Sequence, residues 1–324
     1  MYNSETLAGT SVLYEALKKF SDKKIVLSYS GNKDSYILFT ALCLLKDENN
    51  LDFEIVHFVH GNSQSDIEAE KIVKSQALAN NISVAIFHEP ITNESQGREA
   101  RQKVLEKLYP SSKFVILTAH HLDDVVETFL MNLFNGCSYS GLLGIPVQNE
   151  IGNVLYFRPF IYLNCYKKDL QVYKGRYSIV GLLDNKSFVE DSMNLNFSFK
   201  RNAIRSFINS ALVSFPYLKN KIISFSLFAE QQNNINVFAF KQTDYLLNIA
   251  NNSYSLSTVK HFLENNEDVI RNWFFMLFKD KFKVNLTIRH FEEFKRFIND
   301  NAKIMSLPNN LKITVTSNVL VFSS

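Results

Sequence analysis

Four short runs early in the chain constrain the fold most. Residues 24–29, 54–59, 83–87 and 113–118 are rich in β-branched and aromatic side chains and read as buried strands. Between them lie residues 35–46, 65–80 and 94–108, each long enough for a helix. Strands separated by helices cannot pair as tight hairpins. They pair in parallel, and the crossover helices cover both faces of the sheet. The expected class is therefore α/β, a parallel sheet flanked by helices in the Rossmann-like manner. Such sheets bind ligands beyond the carboxyl ends of their strands. Useful motifs should follow strands directly, and two of them do.

The remainder of the chain is organised differently. A further helix is expected over 123–135. Residues 136–159 hold four glycines and two prolines and read as loops with a hairpin. Helices resume near 167–177 and 199–210, and a boundary is expected around 214–221. Beyond it, 269–278 and 291–298 have helical apolar spacing, and 312–322 alternates like a strand. The expected domains are 1–213 and 214–324, the second smaller and mainly helical with a terminal strand or hairpin. All 10 glycines lie at or before Gly181, which fits a second domain built on other lines.

Composition excludes several classes. With 46% apolar and 13% aromatic residues the chain can fill a core, so it is neither disordered nor fibrous. Up to Gly181 there are 18 basic and 20 acidic residues, and after it 17 and 12, so the later part suits a polyanionic partner. Cys43, Cys137 and Cys165 form no CxxC pair and read as buried thiols rather than a disulfide or cluster framework. No leader pattern opens the sequence and no apolar run reaches the roughly 18 residues that span a bilayer. A reducing, cytoplasmic setting without a membrane is expected.

The first motif follows the first strand: Ser30-Gly31-Asn32-Lys33-Asp34-Ser35, leading into the apolar Tyr36-Ile37-Leu38. A tight turn opening a helix aims backbone N–H groups and the positive helix end at one spot, which suits phosphate. Ser30 and Ser35 add hydroxyls and Lys33 a charge. Asp34 is out of place beside phosphate unless it holds Mg²⁺ or orients the loop. An ordinary capped helix would explain the same residues.

The second motif follows the fourth strand: Thr118-Ala119-His120-His121-Leu122-Asp123-Asp124-Val125-Val126-Glu127. Asp124 and Glu127 are three apart and can share one exposed helix face. They suit a cation, either Mg²⁺ or an ammonium group, or else they are acidic caps matched to the helix dipole. The histidines can bind phosphate or transfer protons.

The loop 30–35 resembles the SGGxDS loop of the PP-loop (N-type) ATP pyrophosphatases, with Asn32 in place of the second glycine. Asn is among the few residues other than glycine that visit positive φ readily. Residues 119–145 are similar to a stretch shared by tRNA(Ile)-lysidine synthases and tRNA 2-thiocytidine enzymes. The absence of paired CxxC cysteines favours the former. Residues 57–70, Arg158-Pro159, and Glu190-Asp191-Ser192-Met193-Asn194 with Arg201-Asn202-Ala203-Ile204-Arg205 resemble lysidine synthase segments, with departures at Met193 and Asn135.

The resemblance implies a ligase that uses ATP and Mg²⁺, with L-lysine and a CAU-anticodon tRNA(Ile) as partners. It implies that Ser30, Gly31, Asn32, Lys33, Asp34 and Ser35 bind the nucleotide, with Asp34 on the metal. Asp34, His121, Asp124 and Glu127 would form the catalytic group, His121 lying near the phosphates. Asp124 and Glu127 would receive the amines of lysine. Arg101, Arg201 and Arg205 would contact substrate or tRNA, and the C-terminal domain would grip tRNA. A homodimer is compatible with the sequence. Two alternatives stay open: a cytidine-thiolating enzyme using Cys137, and a non-catalytic nucleotide- or tRNA-binding relative suggested by Asn32, Asn135 and Met193.

Overall fold

The computed structural model describes residues 4–59, 61, 63–88, 94–136, 142–170, 188–189, 200–250 and 252–323, without the side chains of 4–10, 94–96 and 233. The chain falls into two compact units, Met1–Ser226 and Leu227–Ser324.

The first unit begins with α1 (Ser4–Lys18), which sequence reasoning did not foresee. It continues through β1 (Lys24–Ser28), α2 (Lys33–Asn49), β2 (Phe53–Val59), α3 (Gln64–Ala79), β3 (Val84–His88), α4 (Glu94–Leu108), β4 (Phe114–Leu117) and α5 (Leu122–Phe134). A hairpin of β5 (Gln148–Ile151) and β6 (Val154–Phe157) follows, then the short α6 (Pro159–Tyr162), α7 (Lys200–Ser214) and the start of α8 (Leu218–Leu247). The sheet order is β3-β2-β1-β4-β6-β5. All neighbours pair in parallel except β5, which is antiparallel to β6.

Alternation along β1 explains why both faces are covered. Ile25 and Leu27 point into a core with Leu13 of α1, Leu38 and Leu42 of α2 and Val73 of α3. Val26 points the other way, into a core with Val56, Ile116 and Leu105 of α4. The helix expected over 167–177 is a single 3₁₀ turn at Lys167–Asp169 within the described residues. Nothing interrupts α8 near residue 221, and the two units divide inside it.

The second unit holds the end of α8, β7 (Asn248–Ala250), β8 (Ser253–Ser255), α9 (Leu256–Asn265), α10 (Glu267–Lys281), α11 (Ile288–Asn299), β9 (Ile304–Ser306), β10 (Lys312–Thr316) and β11 (Val319–Ser323). The five strands form an antiparallel sheet in the order β7-β8-β11-β10-β9. The segment 312–322, whose alternation reads like a strand and for which a terminal strand or hairpin is expected, is a hairpin. Ser317 and Asn318 both adopt positive φ, 48° and 66°, as a two-residue turn matched to strand twist requires. Phe291 and Phe294 of α11 pack on Phe274 of α10, the Phe274 and Phe294 rings stacking at 4.7 Å. Among the described residues no helix is long and apolar enough to cross a membrane.

Candidate active site

The strand order fixes where a ligand can sit. The chain steps from β1 outward to β2 and β3, then returns to place β4 on the other side of β1. The connections leaving β1 and β4 therefore diverge to opposite sides and leave a crevice between them. Leu27 pairs with Leu117, so the two following loops start at the same level. These loops are the two motifs.

In the first loop Gly31 adopts φ +82°, and a Cβ there would lie 3.3 Å from the Cβ of Ala69 on α3. Both conformation and space require glycine. Asn32 has φ −85° and ψ 167°, extended backbone open to any residue. The positive φ invoked for Asn32 from sequence is thus not used, and its Cβ costs the loop no backbone strain. Ser30 Oγ touches the Asn32 side chain and lies 2.9 Å from Ser35 Oγ, and Ser35 Oγ donates to the Asn32 carbonyl at 2.9 Å. The Ser30 hydroxyl donates to Asn32 Oδ1, so the three side chains form one connected set at the turn. Lys33 is exposed at the helix start. The Val189 N–H donates to the Gly31 carbonyl at 2.9 Å, holding that strip of chain against the loop.

In the second loop His121 caps α5, and its backbone N–H donates to Asp124 Oδ2 at 3.0 Å. Asp124 and Glu127 share one face, as their spacing predicts. That face is buried rather than exposed: the two residues are 9% and 5% accessible. The cover is α7. Arg205 Nε donates to Glu127 Oε1 at 2.7 Å. Arg201 Nε lies 2.9 Å from Glu127 Oε2 but off the line of a hydrogen bond, and Arg201 also lies 3.8 Å from Asp124.

The loops meet through His121 and Asp34, with Nε2 3.7 Å from Oδ2. On its other side His121 Nδ1 lies 3.4 Å from Asp124 and 3.8 Å from Asp123. Burial disfavours a charged His121 ring, but Asp34, Asp124 and Asp123 outweigh it and raise its pKa above the ordinary 6.5. Burial likewise opposes ionisation of Asp34, yet His121 and Lys167 hold its pKa below the usual carboxylate value. His120 differs. Burial pushes its pKa down to about 4 although Asp124 pulls it up, so the ring is neutral at pH 7. Its Nδ1 lies 2.9 Å from Thr118 Oγ1.

Sequence reasoning missed three participants. Lys167 Nζ lies 3.4 Å from Asp34 Oδ2. Asp123 accepts the Lys167 backbone N–H at 2.7 Å and also pairs with Lys219 of α8. Burial disfavours the charged Asp123 carboxyl, but these contacts lower its pKa. A lysine far along the chain gives no periodic or motif signal, so only folding reveals the pairing. Asp123, Glu127, Lys167, Arg205, Ser206 and Lys219 contribute to the wall of a cleft of about 820 Å³. Arg101 sits elsewhere, on α4, donating to the Gly97 carbonyl with its charge acting on Tyr156. Residues 137–141 and 190–199 lie outside the described residues, which takes in Cys137 and Met193.

Four buried polar atoms in this centre have no hydrogen-bond partner among the described residues: Asp34 Oδ1, Glu127 Oε2, His121 Nδ1 and Arg201 Nε. Glu127 Oε2 and Arg201 Nε face each other as an ion pair at 2.9 Å, which leaves Asp34 Oδ1 as the carboxylate oxygen that calls for a cation or an N–H donor. Among the described residues no group of three or more His, Cys, Asp or Glu could hold a metal by itself. Asp34 Oδ1 nevertheless fits one protein ligand of a Mg²⁺ that takes its other oxygens from phosphate and water.

The PP-loop domain model ATP_bind_3 matches residues 8–212, well over half of the chain. The chain belongs to the PP-loop family. The resemblance read from loop 30–35 is borne out, and PP-loop membership implies use of ATP. The chain is 28% identical over 202 residues to a tRNA(Ile)-lysidine synthase of Histophilus somni, covering 60% of this chain and 44% of that protein. It is 30% identical over 189 residues to one of Lactococcus lactis, covering 57% and 41%. It is 27% identical over 239 residues to a chloroplastic one of Pyropia yezoensis, covering 70% of each. The match thus spans less than half the length of the two bacterial relatives.

Proposed function

We propose that this PP-loop protein is an ATP-dependent tRNA(Ile)-lysidine synthase. It would adenylate C2 of the wobble cytidine in a CAU anticodon and join lysine there through its ε-amine, releasing pyrophosphate and AMP. One observation carries the reading. Asp34, whose buried Oδ1 has no hydrogen-bond partner among the described residues, and Glu127, which faces Arg201 and Arg205, belong to opposite ends of one connected cluster. The first stands in the 30–35 loop, where an open oxygen suits Mg²⁺, and the second lines a cleft with room for a lysine side chain.

In this scheme the 30–35 loop receives the departing pyrophosphate through its backbone N–H groups, Ser30 and Ser35, while Lys33 adds charge. Asp34 would hold Mg²⁺, which when bound neutralises charge on the phosphate oxygens. His121, whose pKa three carboxylates raise against the opposing effect of burial, would add positive potential between the phosphates and Asp124 when protonated. The cytosine O2 attacks the α-phosphorus, and the O–P bond formed replaces the bond to pyrophosphate. The lysine ε-amine, once neutral, attacks C2 and AMP leaves. Asp124 and Glu127 orient lysine, with Arg201 and Arg205 placed to take its carboxylate or an RNA phosphate. Positioning and fixed charge supply most of the acceleration. The second unit, nearly balanced at 11 Lys and Arg against 9 Asp and Glu, would grip the tRNA body through its basic side chains.

The test is direct. Purified protein is incubated with ATP, Mg²⁺, labelled lysine and a tRNA bearing a CAU anticodon. Label is expected in the tRNA, and Asp34→Ala should remove it. No label despite tRNA binding would sink the proposal.

A further inference from the structure

Lys167 stands on Asp34 but is built unlike His121, the other group paired with it. His121 is 3% exposed at its side chain and tied to the start of α5. The side chain of Lys167 is 50% exposed, and its only described ion pair is with Asp34. Its backbone, by contrast, is latched. The Leu122 N–H donates to the Cys165 carbonyl at 2.9 Å, and the Lys167 N–H donates to Asp123 Oδ2 at 2.7 Å. The base of the arm is fixed to the second motif while its charged head is half exposed.

Asp34 cannot keep all its partners when loaded. It has one negative charge, already facing His121 and Lys167, with Oδ1 open to a further cation. A divalent ion on Asp34 would stand beside the like-charged Lys167 ammonium, and the half-exposed lysine head is the partner that leaves. The loop opening α2 gathers phosphate oxygens beside it, so a displaced ammonium has a stronger anion within reach.

We propose that Lys167 is a phosphate ligand with two stations. It neutralises Asp34 in the nucleotide-free protein, and it moves onto the triphosphate of ATP when Asp34 takes a divalent cation. The proposal rests on reading 30–35 as the triphosphate loop. It explains why a lysine far from both motifs in sequence is latched beside them. The neighbouring Lys168 stands instead over the Tyr166 ring, 5.8 Å from its centre, and serves as the control for lost charge.

Calorimetric titration of the full chain tests this with Mg²⁺ alone and with MgATP. Lys167→Met should weaken MgATP binding about tenfold or more, the loss of a charge-assisted contact. The same variant should bind Mg²⁺ alone several-fold more tightly, because a competing cation has gone. A merely structural role would weaken both. Lys167→Met falling in both titrations, or binding MgATP no worse than Lys168→Met, overturns the proposal. Asp34→Asn separates it from the reading beneath: if that variant binds MgATP like the wild type, the loop has been misassigned.

Discussion

Replacing Gly31 with alanine tests the geometry on which the 30–35 loop depends. At φ +82° an L-residue pays about 1–2 kcal/mol relative to glycine. The new methyl would also stand 3.3 Å from Ala69 Cβ, tighter than most real contacts and against a helix that cannot swing aside. Relief of that contact costs roughly 1 kcal/mol more. The expected loss is about 2–3 kcal/mol, and it should appear in urea denaturation followed by far-UV circular dichroism. Trp273, the single tryptophan, is buried in the second unit, so its fluorescence reports that unit separately. Hydrogen exchange over β1 and α2 should rise. The two contributions separate in a double-mutant cycle. Ala69→Gly removes the opposing methyl at about 1 kcal/mol of helix propensity, and Gly31→Ala should cost about 1 kcal/mol less in that background. A neutral Gly31→Ala, or a cycle that closes with no coupling, would refute the packing argument.

Two further perturbations bear on the second motif. Glu127→Gln keeps the side-chain shape but turns one donor toward an arginine donor, either Arg205 at 2.7 Å or Arg201 at 2.9 Å. It should destabilise the protein by about 2–4 kcal/mol in urea, and a change under 0.5 kcal/mol would show that the pair carries little. For His120, the unfolded ring takes up its proton near 6.5 and the folded ring near 4. Between those values the unfolded state binds more protons, so stability falls as pH drops from 6.5 toward 4. His120→Gln should flatten that part of the pH dependence of the urea midpoint, whereas equal slopes in both proteins would contradict a buried neutral ring.

Much of this architecture was legible because it rests on short-range rules. Runs of β-branched and aromatic residues separated by helix-length segments placed β1 to β4 and α2 to α5 within a few residues. The hairpin at 312–323 was blurred because Ser317 and Asn318 carry no glycine to mark the turn, although asparagine tolerates the conformation. α1 carries no motif and only weak apolar periodicity to mark it as a helix. In the site, loop 30–35 and the acidic helix start were visible as motifs. Lys167, Lys219 and the role of Asp123 were not, because each depends on contacts between distant segments.

The sequence by itself determined which local conformations were available. It set a glycine turn opening α2, a capped acidic start to α5, and a chain order that makes a parallel sheet. Whether Asp124 and Glu127 faced water was beyond it, since spacing gives a common face but not what covers that face. Only the tertiary structure decided this, by laying α7 and its arginines over the carboxylates. It also brought His121 to Asp34, residues 87 positions apart in the chain and 3.7 Å apart in space. The physical reason is the reversal of strand order at β1: two loops that share no sequence neighbourhood share a sheet edge, and their charges then set one another's ionisation.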